Sequence, residues 1–322
     1  MVARQWGDCY RVLCSRHPLL SFRRSALFQC SGSFLVPLFS VIPPGVRFML
    51  ASALAFSIMT AFVKMAGERI PSQEIVLFRA IISLGLSWAF LRHAGIPLLG
   101  TNRRLLLLRG FLGFLGLSCV YYAVTHLPLA EATVIQYLHP MFTAVMAAIF
   151  LREHLSRSVF LAIGVSLVGL VIIARPSFLF AQAQTLDPLA LLAALGGAFF
   201  SGAAYVLVRK LSSTEHALVI VFYFPLVTIP LALPGAIVHW VWPEGWEWLM
   251  LLGVGVFTQL GQVYLTHGLR HEPAGRATAL SYSQILFAAL WGIFFFGEVP
   301  DVWLWVGGLF IVLGTWINIR FR

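Results

Sequence analysis

The sequence predicts an all-α integral membrane protein of ten transmembrane helices, arranged as two inverted five-helix repeats. Three observations carry that prediction. The composition is apolar, apolar blocks of about 20 residues recur along the chain, and the sequence matches itself at an offset of 145 residues.

Apolar residues fill 60% of the 322 positions, charged residues 11%, and the mean hydropathy is +0.89. Soluble domains carry about 45–50% apolar and about 25% charged residues. A water-soluble chain of this composition could not cover its own surface. The net charge of +10 does not point to nucleic acid, because the basic residues fall between apolar blocks with no zinc-finger spacing and no basic reading helix. Cys9, Cys14, Cys30 and Cys119 form no CxxC pair and have no histidine at ligand spacing. Neither a disulfide framework nor a metal site is expected, and no cofactor.

Residues 1–46 differ from the rest and read as a disordered cytoplasmic tail. They carry Arg4, Arg11, Arg16, Arg23 and Arg24, and the apolar run Phe34–Ile42 is broken by Pro37 and closed by Pro43-Pro44. That run is too short to span, and no signal-peptide cleavage pattern follows the arginines. Whether these residues belong to the native protein stays open, since Met49 stands at the first apolar block. The two repeats are expected over 47–175 and 188–322.

Apolar blocks then fall near 47–67, 73–92, 104–125, 129–151, 157–175, 188–210, 216–240, 247–269, 275–297 and 301–320. Each is long enough for a bilayer core of about 30 Å. The breaks hold helix-ending residues and charges, among them Gly67-Glu68-Arg69-Ile70-Pro71, His126-Leu127-Pro128, Arg175-Pro176 and Glu272-Pro273. Alternate loops divide the cations unequally. Arg47, Arg92, Arg103, Arg104, Arg152, Arg157, Arg209, Lys210, Arg270, Arg276, Arg320 and Arg322 fall on one side, with Arg69 and Arg175 on the other. By the positive-inside rule both termini are cytoplasmic, in a multi-pass protein of the cell membrane.

At the 145-residue offset, Ala132 through Glu153 lies over Ala277 through Glu298 without a gap. Tyr137 pairs with Tyr282, His126 with His271, Pro128 with Pro273, Gly110 with Gly255 and Gly169 with Gly314, while Lys64 falls over Arg209. Shared apolar composition does not explain matched Gly, Pro, His and Glu. Five spans per repeat is an odd number, so the second half enters the membrane upside down. Such repeats are related by a pseudo-two-fold axis in the membrane plane, with the substrate site near the midplane between them.

Lys64 late in the first span, Arg79 early in the second and a glutamate closing the fourth and ninth resemble the EamA-type permeases of the drug/metabolite transporter superfamily. The stretches Leu151-Arg152-Glu153-His154-Leu155 and Phe296-Gly297-Glu298-Val299-Pro300 are similar to that family's Gly-Glu helix ending, with Arg152 where glycine is usual. The resemblance covers about residues 50–320. It implies transport of metabolites such as amino acids and their derivatives, and fixes no substrate.

Candidate site residues follow from depth, at about 1.5 Å of rise per residue. Gln136, Tyr137 and His139 lie near the midplane of the fourth span, and Ser281, Tyr282 and Gln284 at a matching depth in the ninth. Polar groups this deep face the interior or a wet cavity. Glutamines and serines also serve as interhelical glue, and that alternative stays open for Ser281 and Gln284. Gln259 and Gln262 add a polar strip on the eighth span. Among charges, Arg79 is the hardest to dismiss. Lys64 and Arg109 lie close enough to helix ends to snorkel. Glu153 and Glu298 are expected to pair with nearby arginines or order loops rather than couple protons.

Basic groups outnumber acids in the first three spans, which favours an anionic or zwitterionic solute. The expected activity is that of a secondary transporter working by alternating access. A membrane-embedded enzyme would need a nucleophile, metal cluster or paired acids, and no HExxH or GxSxG is present. A channel is the other alternative. Expected partners are a small-molecule solute and the lipid bilayer, with a homodimer left open and no nucleic acid.

Overall fold

The computed structural model describes residues 42–154, 156–176, 179, 187–238, 240–297 and 299–321. The N-terminal tail, apart from its last few residues, and Glu298 therefore lie outside the described residues.

Ten helices among them are long and apolar enough to cross a membrane. The first five spans are Pro44–Ala66, Ser72–His93, Arg103–His126, Leu129–Leu151 and Arg157–Ala174. The second five are Pro188–Leu211, Ala217–Val238, Glu247–His271, Ala274–Phe296 and Val302–Arg320. The first begins three residues before the expected start because Pro44 takes a first-turn position, where a missing N–H costs nothing. Polar caps set other boundaries. Ser156 accepts from the Val159 amide, Asp187 from Leu189 and Asp301 from Trp303.

Two of the expected continuous helices are broken. The fourth span consists of Leu129–Gln136 and His139–Leu151. The ninth consists of Ala274–Ala279, a 3-10 turn at Leu280–Tyr282 and Ser283–Phe296. Pro140 explains the first break, because its missing N–H cannot bond the carbonyl four residues back. The ninth span has Ile285 at the matching position, so its tightening has no proline cause. The Tyr282 hydroxyl donates to the Tyr137 carbonyl at 2.7 Å, while the Met141 amide turns instead to Leu138. The carbonyl freed by one break is thus satisfied from the other. Irregular backbone at membrane depth is tolerated where protein buries it or a cavity borders it.

The helix endings also repeat. Gly297 closes the ninth span in the left-handed region at φ 62°, and Arg152 closes the fourth at φ 55°. The fourth span therefore ends with a side chain in a conformation that suits glycine.

The principal packing partners obey the two-fold relation of the repeats. The first span packs on the eighth and the sixth on the third; the second packs on the eighth and the seventh on the third. The fourth packs on the sixth and the ninth on the first, while second with seventh and fifth with tenth pair as symmetry mates. Every one of these contacts joins one repeat to the other, so the halves interlock rather than forming separate lobes. Small residues permit the approach. A Cβ on Gly307 of the tenth span would come to 2.4 Å from the Gly169 carbonyl of the fifth.

Candidate functional site

Two pairs of symmetry mates mark the pseudo-two-fold axis inside the molecule. Tyr137 and Tyr282 stack with ring centroids 5.6 Å apart and an interplanar angle of 30°. Arg79 and Phe224 are likewise 145 residues apart in the sequence, and the Arg79 guanidinium lies over the Phe224 ring at 5.9 Å. Tyr137, Arg79 and Phe224 all line one cavity of about 340 Å3. That size suits a small organic molecule.

Eight spans contribute to the lining. Phe56 and Met59 come from the first, Arg79 from the second, and Arg109, Gly113, Leu117 and Val120 from the third. The fourth gives Gln136, Tyr137 and His139 at its break, and the sixth gives Ser201, Ala204 and Tyr205. Phe224, Gln262 and Gln284 complete it from the seventh, eighth and ninth. The fifth and tenth pack against each other and add no described residue to it.

Six residues singled out from the sequence therefore meet here: Arg79, Gln136, Tyr137, His139, Gln262 and Gln284. The other four lie elsewhere. Tyr282 is fully buried behind Tyr137. Gln259 is buried between the second and eighth spans, accepting from Ser83 at 2.5 Å and donating to Ser87 at 2.8 Å. Ser281 donates to the Thr278 carbonyl of its own span. Lys64 stands over the Phe296 ring at 4.1 Å, in a smaller recess with Ser57, Thr60 and Trp291.

Arg109 belongs to the cavity and does not snorkel. It is 3% exposed, although it stands only about 9 Å from the end of its helix by rise per residue. The cause is the third span's approach to the seventh. A Cβ on Gly110 would lie 2.8 Å from the Tyr223 carbonyl, and one on Gly113 would lie 2.9 Å from the Phe224 ring. The seventh span thus closes the route to the interface. Arg109 Nη2 donates to Gln262 Oε1 at 2.9 Å, and its guanidinium lies over Phe224 at 4.8 Å. Its Nε and Nη1 are buried without hydrogen-bond partners. Tyr205 and Ser201 are further additions. Tyr205 meets His139 edge-on at 5.4 Å, and Gln136 Nε2 points to Ser201 Oγ at 3.5 Å. No acidic residue appears among the described residues of the lining.

On the face where most cations cluster, Glu153 pairs with Arg209. Its Oε1 accepts from Arg209 Nε at 2.7 Å and its Oε2 from the Ala274 amide at 2.8 Å. Arg209 Nη1 also donates to the Leu269 and Arg270 carbonyls at 2.8 and 2.9 Å. The Glu153–Arg209 pair thereby ties the ends of the fourth, sixth, eighth and ninth spans. On the same face Glu215 accepts from the Thr101 amide and hydroxyl and from the Asn102 amide, at 2.6–2.9 Å. Burial works to raise its pKa, and these hydrogen bonds overcome it and hold the carboxyl below the usual range. On the opposite face Arg69 donates to Glu247 at 2.7 Å and to the Trp242 carbonyl at 2.8 Å.

The sequence pattern of the EamA-like transporter family matches residues 43–175 and again residues 188–320. The chain belongs to the EamA-like transporter family. The two matches are displaced by the same offset as the internal repeat. A protein of Pseudomonas aeruginosa named pseudopaline exporter CntI is 36% identical over 274 residues, 85% of this chain and 95% of its own length. Human solute carrier family 35 member G1 is 29% identical over 86% of this chain and 79% of its own. A Rickettsia felis S-adenosylmethionine uptake transporter is 27% identical over 84% and 90%. A solved crystal structure shares the fold with a TM-score of 0.75 at 19% identity, covering 86% of this chain and 99% of that one. The chain is thus a multi-pass membrane protein of a transporter family, whose EamA-type resemblance was legible in the sequence.

Proposed function

We propose that the chain is an alternating-access carrier for a small organic anion or zwitterion in the cell membrane, with both termini cytoplasmic. The observation that carries this reading is the placement of the cavity. Four spans from each repeat line it, and it lies on the axis that relates them. An inverted pair of repeats can exchange conformations, so a midplane site serves openings to either face.

Arg79, Gln136, Tyr137, His139, Gln262 and Gln284 contact the solute in this reading, with Arg109 and Tyr205 added. Tyr282 positions Tyr137 from behind. Gln259 and Ser281 hold the surrounding helices, and Lys64 acts in the separate recess near Trp291. The Glu153–Arg209 tie is a closure on the cytoplasmic side. Two relatives carry opposite directions in their names, an exporter and an uptake transporter, as expected of a fold whose inverted halves can open to either face.

Uptake into proteoliposomes over a panel of anionic, zwitterionic and cationic metabolites tests the reading. Saturable uptake of anions or zwitterions, lowered at least tenfold in Arg79→Gln, is the expected result. Preference for cations, or rates that never saturate, would contradict it.

A further inference from the structure

The cavity sits on a symmetry axis, yet its walls are chemically asymmetric. Of the five lining pairs that the 145-residue offset relates, three are unlike: Arg79 with Phe224, Gln262 with Leu117 and Ser201 with Phe56, while His139 with Gln284 and Met59 with Ala204 are alike. Interconversion of the repeats requires matching backbones, not unlike side chains, so this difference falls on the solute. In each unlike pair a polar or charged group in one repeat stands where the other repeat has an apolar one, which suits a molecule with both characters.

The charged end is specified by Arg109. Buried, with Nε and Nη1 unpartnered and one bond from Nη2 to a neutral amide, its cation lacks a counter-charge among the described lining residues. An uncompensated buried charge is strongly unfavourable. An oxyanion removes that cost, and planar guanidinium groups match carboxylate and phosphate geometry. Arg79 lies over the same ring and lines the same cavity, so two cations border the Phe224 part of the site. A zwitterion's ammonium group finds no carboxylate in the described lining, and sits beside two like charges.

We propose that Arg109 and Arg79, set about the Phe224 ring, bind the carboxylate or phosphate head of an amphipathic organic anion. Its apolar body rests against Phe56, Met59 and Leu117. The inference rests on the carrier reading's choice of this cavity, and it narrows "anion or zwitterion" to a net anion with a hydrophobic portion.

Calorimetric binding to the full chain in lipid nanodiscs tests it, using five probes. Indole-3-propionate and phenyl phosphate carry the two head types on an aromatic body. Indole-3-propionamide removes the charge, L-tryptophan adds an ammonium group, and propionate removes the body. At least one aromatic anion should bind at least tenfold more tightly than the amide, tryptophan and propionate, and its identity distinguishes the two heads. Arg109→Gln should bring the acid-to-amide ratio toward one, and Arg109→Lys should restore part of it. Where Arg109→Gln does not fold, Arg79→Gln gives the same readout. Affinities of both aromatic anions no higher than those of the amide, tryptophan or propionate, or no binding of either aromatic anion, would overturn the proposal. Because binding is read without flux, an intact charge preference with no exchange across liposomes would contradict the carrier reading alone.

Discussion

Arg109 lies where two glycines let a neighbouring helix close over it. Gly110 and Gly113 bring the third span against Tyr223 and Phe224, and that contact turns a side chain near a helix end into a buried one. Position along the helix alone favours snorkelling, so the signal available in the sequence is the Arg-Gly-x-x-Gly spacing rather than depth. The cavity positions of Gln136, Tyr137, His139 and Gln284 were legible because midplane depth and repeat position can be counted, and those of Arg79 and Gln262 because a charge and a polar strip stand out within apolar spans. Gln259 looks the same by those criteria, and only its pairing with Ser83 and Ser87 distinguishes a helix-joining amide from a lining one. A Gly113→Ala substitution places a methyl group 2.9 Å from the Phe224 ring and should lower the apparent affinity of uptake by moving the ring that both arginines flank. Arg152 offers the opposite kind of change. Its φ of 55° costs a non-glycine residue about 1–2 kcal/mol, so Arg152→Gly should raise the thermal midpoint in detergent. Glu215 sets an acid limit. Its carboxyl pKa is held below the usual range, so its stabilisation is present at neutral pH and is lost as pH falls through the folded-state value. Glu215→Gln should therefore reduce stability by about 1–3 kcal/mol at pH 7, with the gap closing in acid.

At the level of helices, the two broken spans differ in how openly the sequence shows them. Pro140 marks the first break, although a proline in a membrane helix is often only a kink. Residues 280–285 hold no proline or glycine to mark the second, where the Tyr282 hydroxyl reaches a carbonyl in the other repeat. A double-mutant cycle can separate the two contributions. Pro140→Ala restores an amide donor, and Tyr282→Phe removes the hydroxyl, at a cost of about 1 kcal/mol. Coupling between them is expected, since both act on the carbonyls around Tyr137. Additive effects would mean that each break stands on its own. Close helix contact gives a simpler expectation. Gly307→Val inserts side-chain atoms where even a Cβ meets the Gly169 carbonyl at 2.4 Å, and the yield of folded protein should fall sharply by size-exclusion profile.

For the whole molecule, hydropathy and the 145-residue offset made the ten spans and their inversion legible, because bilayer thickness and side-chain periodicity act locally. Interlocking was not legible, since which helices touch is decided by packing across repeats. That interlocking has a mechanical consequence. Eight helices border the cavity, and the fifth and tenth pair outside it, so in the carrier reading opening to one face moves helices of both repeats together rather than one repeat against the other. The Glu153–Arg209 tie joins four of those eight at one face, and Glu153→Gln should accelerate exchange through that face if closure there limits turnover. A slower exchange would instead make the tie part of the moving framework. Counterflow in proteoliposomes preloaded with an accepted solute tests the carrier reading most directly. Saturable trans-stimulated exchange, without steady electrical conductance, is the predicted result. Flux that rises linearly with concentration and is indifferent to solute on the far side would contradict it.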